Sequence, residues 1–108
     1  MNKPKLLFVC NAGRQRSVTG RDLYEDKGYQ TKSCGIRGDK HRCVTKEKLE
    51  WCDIIIVMEE EQRKFIAAEF PKEYLVKKII TLDIHDIYKR NQEELIELLN
   101  KRVKIKCV

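Results

Sequence analysis

Two continuous apolar segments constrain the fold of this 108-residue chain most strongly. Residues 5–10 read Lys-Leu-Leu-Phe-Val-Cys, and residues 53–58 read Asp-Ile-Ile-Ile-Val-Met. Apolar runs of this length, without polar alternation, are typical of strands that are buried on both faces. We therefore expect both segments to lie inside a sheet that helices cover on each side.

Weaker patterns predict two more strands and two helices. Residues 29–34 and 78–82 are predicted as the further strands. Ser17 is placed to cap a helix that ends before Gly28, and Thr45 is placed to cap a short helix that ends near Trp51.

A third helix is predicted over residues 59–69, and Pro71 is expected to end it. The last helix is predicted to open at Asn91, because Glu94 follows three residues later as in a capping box. Its apolar side chains then repeat at helical spacing and should face the core; they are Leu95, Leu98, Leu99 and Val103.

Strands and helices alternate along the whole chain, so we predict an α/β fold in which residues 1–108 form a single domain. Its core is a four-stranded parallel sheet flanked by helices on both faces. In such sheets ligands bind at the carboxyl ends of the strands. Cys10 ends the first strand, which makes the segment after it the expected binding loop.

The segment after the first strand has a spacing that suits phosphate chemistry on sulfur. It reads Cys10-Asn11-Ala12-Gly13-Arg14-Gln15-Arg16-Ser17. The residues from Asn11 to Ser17 are enough to curl the backbone amides around a tetrahedral anion, and Gly13 provides the freedom for the curl. Arg16 can bind two phosphate oxygens with its planar guanidinium group. The following helix N-terminus favours the same anion.

This electrostatic field favours the thiolate form of Cys10, the nucleophilic form of the side chain. The Ser17 hydroxyl can donate to the thiolate. The loop and Arg16 supply the charge stabilisation that phosphoryl transfer needs, so no metal or cofactor is expected. The alternative is that Cys10 is a buried structural cysteine and Arg16 a surface residue.

Composition indicates which partners, which cysteine state and which cellular location to expect. The formal net charge is +6, which favours anionic partners such as a phosphorylated protein, a small phosphoester or nucleic acid. The five cysteines are odd in number, which argues against a disulfide framework. The sequence has no long apolar run for a membrane span and no signal-peptide pattern, so the expected location is the cytoplasm.

These residues and the segments around them give the sequence a resemblance to the low-molecular-weight protein tyrosine phosphatase family, in particular to its shorter members. The matching segments follow in family order and are residues 6–17, 32–35, 51–58 and 82–88. The resemblance implies a phosphocysteine intermediate on Cys10 and a carboxylic acid after the fourth strand. Asp83 and Asp86 are the two candidates for this acid. We favour Asp86, because Tyr88 follows it at the offset of the family's aromatic residue, although Ile87 replaces the family's proline.

Three departures from the family bear on substrate choice. Gly13 stands where the family usually has asparagine, and Gln15 replaces its second loop cysteine. Residues 38–42, which include His41, are basic where family members place an apolar pocket wall. The resemblance implies phosphotyrosine or another aryl or small phosphoester as substrate, and the basic segment, with Arg14 at the mouth, leans toward a more anionic one. Tyr88 and His41 are the predicted pocket residues.

Two other functions fit the same sequence features. An arsenate reductase on this fold would need resolving cysteines, for which Cys43 and Cys52 are available. A non-catalytic module that binds phosphoprotein or nucleic acid would use the basic surface. Nucleic acid is less favoured, because aromatic residues that could stack on bases are sparse.

Overall fold

The structure is a computed structural model that describes residues 3–38 and 41–103. All four strands of its sheet are parallel, in the spatial order β2-β1-β3-β4. This agrees with the predicted fold class. The strands are β1 (Leu6–Cys10), β2 (Thr31–Gly35), β3 (Ile54–Val57) and β4 (Lys78–Thr81).

The two apolar segments occupy the centre of the sheet, as predicted. Every residue of β1 and β3 is buried, whereas β4 at one edge is only partly buried. Val9 of β1 pairs with Cys34 of β2 on one side and with Val57 of β3 on the other. The chain runs from β1 to β2 on one side and then returns past β1 to β3 on the other side. This reversal creates a switch point at the carboxyl end of β1.

Five helices connect and cover the strands within the described residues. They are α1 (Arg16–Asp26), α2 (Lys46–Trp51), α3 (Glu60–Glu69), α4 (Pro71–Val76) and α5 (Glu93–Arg102). Helix α4 was not predicted. Pro71 was expected only to end the preceding helix, but it also begins α4, because a proline ring suits the first position of a helix.

Successive residues of each strand point to opposite faces of the sheet, and each face has its own hydrophobic core. Leu6, Phe8 and Ile56 point to the face covered by α1 and α5, and the predicted apolar stripe of α5 packs there. Leu7 and Val57 point to the opposite face, which α2, α3 and α4 cover. Both faces of the sheet are therefore buried, which explains why the central strands tolerate no polar residue.

The helix starts show which local signals decide a boundary. Thr45 caps α2 as predicted, since its hydroxyl accepts a hydrogen bond of 3.2 Å from the backbone N–H of Lys48. The prediction that Ser17 caps α1 is wrong. Helix α1 begins at Arg16, and Gln15, two residues before Ser17, occupies the cap position. Ser17 is instead buried inside the first turn, where its hydroxyl faces Cys10.

The capping box predicted for the last helix is also wrong. Asn91 adopts a left-handed conformation with φ +62°, and Gln92 is the cap residue before α5. A capping box exists at the start of α3 instead. There the Gln62 side chain accepts a hydrogen bond from the backbone N–H of Glu59, and the Glu59 side chain accepts one from the N–H of Gln62.

Gly20 lies in the middle of α1, where alanine would favour the helix more strongly. A Cβ atom at this position would lie 2.5 Å from the Phe8 ring. Glycine therefore allows α1 to approach β1 closely. This contact fixes the helix directly behind the loop that joins the two elements.

Candidate active site

The loop between β1 and α1, residues 11–15, surrounds the sulfur of Cys10. The Gly13 N–H donates to Cys10 Sγ over 3.1 Å, and Ser17 Oγ lies 3.0 Å from the same sulfur. Cys10 is only 3% exposed, so these donors act away from bulk water. Both groups are placed to donate hydrogen bonds to the sulfur. The predicted contact between Ser17 and Cys10 is present.

The curl of the loop depends on two glycines. Gly13 has φ +69°, a conformation that a residue with a side chain rarely adopts. Gly35, at the end of β2, allows the loop to lie directly against that strand. A Cβ on Gly35 would lie 2.5 Å from the Gly13 nitrogen and 2.6 Å from the Asn11 carbonyl oxygen. The sequence analysis ended the second strand at residue 34 and missed this role of Gly35, which depends on an approach between distant segments.

Arg16 is almost completely buried, at 1% exposure, beneath the same loop. Its Nη1 donates to Glu59 Oε1 and to the Ile84 carbonyl oxygen, both over 2.6 Å. Its Nε and Nη2 have no hydrogen-bond partner among the described residues. Buried donors without partners are costly. Their pairing on one side of the guanidinium group suits the two oxygens of a bound phosphate.

The start of α3 contacts the loop of residues 11–15 and the Arg16 that follows it. Glu59 holds Arg16, as described above. The fully buried Gln62 donates from Nε2 to Asn11 Oδ1 over 2.6 Å, while its Oε1 accepts from the Glu59 N–H. Sequence reasoning missed both residues. Their spacing is that of a capping box, which signals a helix start but gives no information about contacts with residues 11 and 16.

The two candidate acids occupy different surroundings. Asp86 Oδ1 lies 3.6 Å from Arg16 Nε, and its side chain is 56% exposed. Asp83 has φ +56°, and its backbone carbonyl accepts from Arg102 Nη1 over 2.6 Å. Asp83 lines a separate surface depression with Lys101 and Arg102. The structure thus brings Asp86, and not Asp83, to the buried arginine of the loop.

The remaining predicted site residues lie in different surroundings. His41 and Arg14 line a cleft beside it, and Ala12 is exposed on its outer side. The Gln15 side chain accepts a hydrogen bond from the Arg90 N–H. Tyr88 is half-buried and packs against the core that α1 and α5 share. It borders a depression next to Leu98, so its place as a pocket wall stays a prediction.

The other cysteines have structural surroundings. Cys10, Cys34, Cys43 and Cys52 are all free thiols, and Cys107 lies outside the described residues. Burial raises the pKa of the Cys34 thiol to about 12 and that of the Cys52 thiol to about 11. Cys43 Sγ faces the Gly38 carbonyl oxygen. Nothing among these contacts pairs Cys43 or Cys52 with Cys10, as a resolving cysteine would require.

Two absences hold for residues 3–38 and 41–103. No group of three histidine, cysteine or acidic side chains is placed to hold a metal ion. No helix in this part of the chain has the length and apolar character needed to cross a membrane.

Comparison with known proteins places this fold in a class. No protein-family model matches the chain, and no curated protein matches it in sequence. Solved structures do match it. YwlE arginine phosphatase from Geobacillus stearothermophilus is 21% identical with a TM-score of 0.68, over 92% of this chain and 90% of that one. A low-molecular-weight protein tyrosine phosphatase from Bacillus subtilis is 23% identical with a TM-score of 0.68, over 90% and 93%.

The tyrosine phosphatase Wzb from Escherichia coli K30, solved in complex with phosphate, has a TM-score of 0.72 at 18% identity, over 91% of each chain. The chain therefore has the fold of the low-molecular-weight protein tyrosine phosphatases. This confirms the fold that the sequence resemblance implied.

Proposed function

We propose that the protein is a cysteine-dependent phosphomonoester hydrolase that works through a phosphocysteine intermediate. One observation carries this proposal. The Cys10 sulfur is held by two groups at 3.0 and 3.1 Å. The buried Arg16 in the same loop region has two donors with no hydrogen-bond partner among the described residues. A nucleophile and an oxyanion-binding group thus share one site. The structural neighbours named as phosphatases support the same reaction class.

The first step transfers the phosphoryl group to sulfur. The Cys10 thiolate attacks phosphorus, so that an S–P bond forms while the ester P–O bond breaks. Arg16 donates from Nε and Nη2 to the phosphoryl oxygens, where charge accumulates in the transition state. Asp86, protonated at this stage, gives its proton to the leaving oxygen, which departs as an alcohol or phenol.

The second step releases phosphate. The Asp86 carboxylate removes a proton from water, and the resulting hydroxide attacks the phosphorus of phosphocysteine. The S–P bond breaks, inorganic phosphate leaves, and the thiolate of Cys10 returns with the Ser17 hydroxyl donating to it. Asp86 is protonated again, ready for the next substrate. Its exposed position allows both leaving group and water to reach it.

We infer that the substrate is phosphotyrosine in a protein or a smaller aryl phosphoester. We place the reaction in the cytoplasm, because the four described cysteines are free and the mechanism needs a reduced thiol. Neighbours on this fold include both arginine and tyrosine phosphatases. The substrate class is therefore tested with phosphotyrosine and phosphoarginine peptides side by side. Hydrolysis of the phosphoarginine peptide alone would replace the aryl phosphate assignment.

The test of the mechanism uses 4-nitrophenyl phosphate and rapid acid quenching with ³²P-labelled substrate. Cys10→Ser should abolish turnover, and Arg16→Lys should reduce kcat/KM by about 10²- to 10³-fold. Asp86→Asn should lower kcat by about 10²-fold or more, whereas Asp83→Asn should change it little. Full activity in Cys10→Ser would refute the mechanism. A larger effect of Asp83→Asn would transfer the acid role to Asp83.

A further inference from the structure

A cleft of about 580 Å³ opens beside the phosphate-binding loop, between the start of α1 and the end of β2. We call it the arginine cleft. Its polar lining consists of Arg14, Arg21, Arg42, Arg90, His41 and Ser33.

The charge of the arginine cleft is only partly neutralised. Asp22 pairs with Arg21 and with Arg90, each over 3.0 Å. Burial alone would raise the pKa of Asp22, but hydrogen bonds and charge from Arg90 and Arg21 outweigh it and lower the pKa. Asp22 thus stays ionised and holds these two arginines in place. The cleft lining thus carries four guanidinium groups, of which Asp22 pairs with two.

Two of the four arginines have side chains without a hydrogen bond or ion pair to the described residues. Arg21 donates to Ser33 Oγ over 3.2 Å in addition to its pair with Asp22. Arg14 and Arg42 make no side-chain hydrogen bond or ion pair with the described residues, and both are exposed. The cleft therefore combines two fixed guanidinium groups with two that remain available to an anion. Guanidinium groups bind phosphate oxygens in pairs, which suits a dianion.

The arginine cleft shares its wall with the reaction site. Gly13 lines the cleft, and its N–H lies 3.1 Å from Cys10 Sγ. Arg14 is the next residue of the loop. A group bound in the cleft would thus lie next to the phosphoryl group that Cys10 attacks. None of the lining residues is phenylalanine, tyrosine or tryptophan, so the cleft offers no platform for stacking nucleic acid bases.

We propose that the arginine cleft binds a second phosphate group of the substrate, so that the preferred substrates carry two phosphates close together. This inference rests on the proposed hydrolase function. It adds a substrate class to it: the scissile phosphate enters the loop of residues 10–17, and the second phosphate binds Arg14 and Arg42. Such a substrate is either a doubly phosphorylated peptide or a small aryl bisphosphate, and both present the same chemistry to the cleft.

The experiment compares substrates that differ by one phosphate. The peptide arm uses one sequence with phosphotyrosine alone and with phosphotyrosine plus a neighbouring phosphoserine. The small-molecule arm uses phenyl phosphate and 1,4-phenylene bisphosphate. We expect kcat/KM to be about 10-fold or more higher for the doubly phosphorylated member, and the advantage to shrink at high salt. A gain in both arms means that the second phosphate suffices, and a gain in the peptide arm alone identifies phosphoprotein as its source.

Arg42→Gln tests the cleft itself, because the Arg42 side chain makes no hydrogen bond or ion pair with the described residues. The variant should lose most of the preference for two phosphates, because its kcat/KM should fall much more for the doubly phosphorylated member of each pair than for the singly phosphorylated one. Lys72→Gln, which removes one positive charge from exposed helix α4, is the matched control and should keep the preference. Equal rates for both members of each pair, or an unchanged preference in Arg42→Gln, would overturn the proposal.

Binding separates this proposal from the hydrolase itself. In Cys10→Ser protein, the doubly phosphorylated peptide should bind about 10-fold tighter than the singly phosphorylated one in calorimetry, and Arg42→Gln should remove the difference. If wild-type protein hydrolyses nothing but this binding difference is present, the hydrolase is wrong and the anion site stands. If hydrolysis occurs and the second phosphate has no effect on binding or rate, only the cleft is wrong. Tighter binding of a single-stranded RNA than of either peptide would also overturn it.

Discussion

Gly35→Ala is the perturbation that most directly tests whether the loop geometry matters. The added Cβ would lie 2.5 Å from the Gly13 nitrogen and 2.6 Å from both the Ala12 carbonyl carbon and the Asn11 oxygen. Ordinary van der Waals contact begins near 3.4 Å, so the backbone must separate by about 0.9 Å (3.4 − 2.5). All three atoms belong to the main chain and cannot rotate away. The phosphate-binding loop itself must move.

The displacement acts directly on the nucleophile. The Gly13 N–H donates to Cys10 Sγ over 3.1 Å, and a shift of this size would break that contact. A misplacement of about 1 Å can reduce the rate by about 10²-fold, so we expect a loss of this order in kcat/KM for 4-nitrophenyl phosphate. The unfolding free energy should fall by about 1–3 kcal/mol, as for other insertions into packed sites. Urea denaturation measures this second effect.

Gly38→Ala is the control for this experiment. A Cβ at Gly38 has no atom of the described residues within 4 Å, but the residue has φ +98°, so the variant carries backbone strain without such a collision. It should lose about 1–3 kcal/mol of stability and keep its activity. If Gly35→Ala retains activity within about threefold of wild type while folding normally, the positioning argument built on close approach is refuted.

Two further predictions concern groups outside the loop. Gln62→Met keeps the side-chain volume but removes the hydrogen bonds to Asn11 and Glu59, so the unfolding free energy should fall by about 2–4 kcal/mol. Inhibition by inorganic phosphate should weaken at the same time, and an unchanged inhibition constant would show that Gln62 does not position the loop. Burial alone would raise the pKa of Asp22, but Arg90 and Arg21 lower it below its ordinary value of 3.8. The stabilising effect of the Asp22 carboxylate is therefore complete above pH 3.8. It is lost as the pH falls through the lower pKa of the folded state. Asp22→Asn should therefore lower the melting temperature at pH 7 and make a smaller difference at pH 2.5, and equal differences at both values would contradict the assignment.

Patterns within short stretches of the sequence were sufficient for much of the fold. The apolar runs of β1 and β3 predicted strands buried on both faces, because such strands have no polar positions. The alternation of strands and helices predicted the parallel sheet. Thr45 predicted a helix start correctly, since a cap needs only contacts over three residues. The same reasoning failed for Ser17 and Asn91. The Ser17 hydroxyl contacts the Cys10 sulfur, and the Asn91 N–H donates to Thr19 Oγ1. These contacts, and not a local cap, set the starts of α1 and α5.

The sequence by itself was sufficient to predict the chemistry proposed for the loop, because the spacing from Cys10 to Arg16 lies within one local segment. Only the tertiary structure decided how that chemistry is held in place. Arg16 meets Glu59 across 43 residues and the Ile84 carbonyl across 68, and Asp86 comes near it in the same way. Such contacts follow from the order of strands in the sheet and the packing of helices on it. No local pattern encodes them, and so Glu59, Gln62 and Gly35 emerged only from the folded chain.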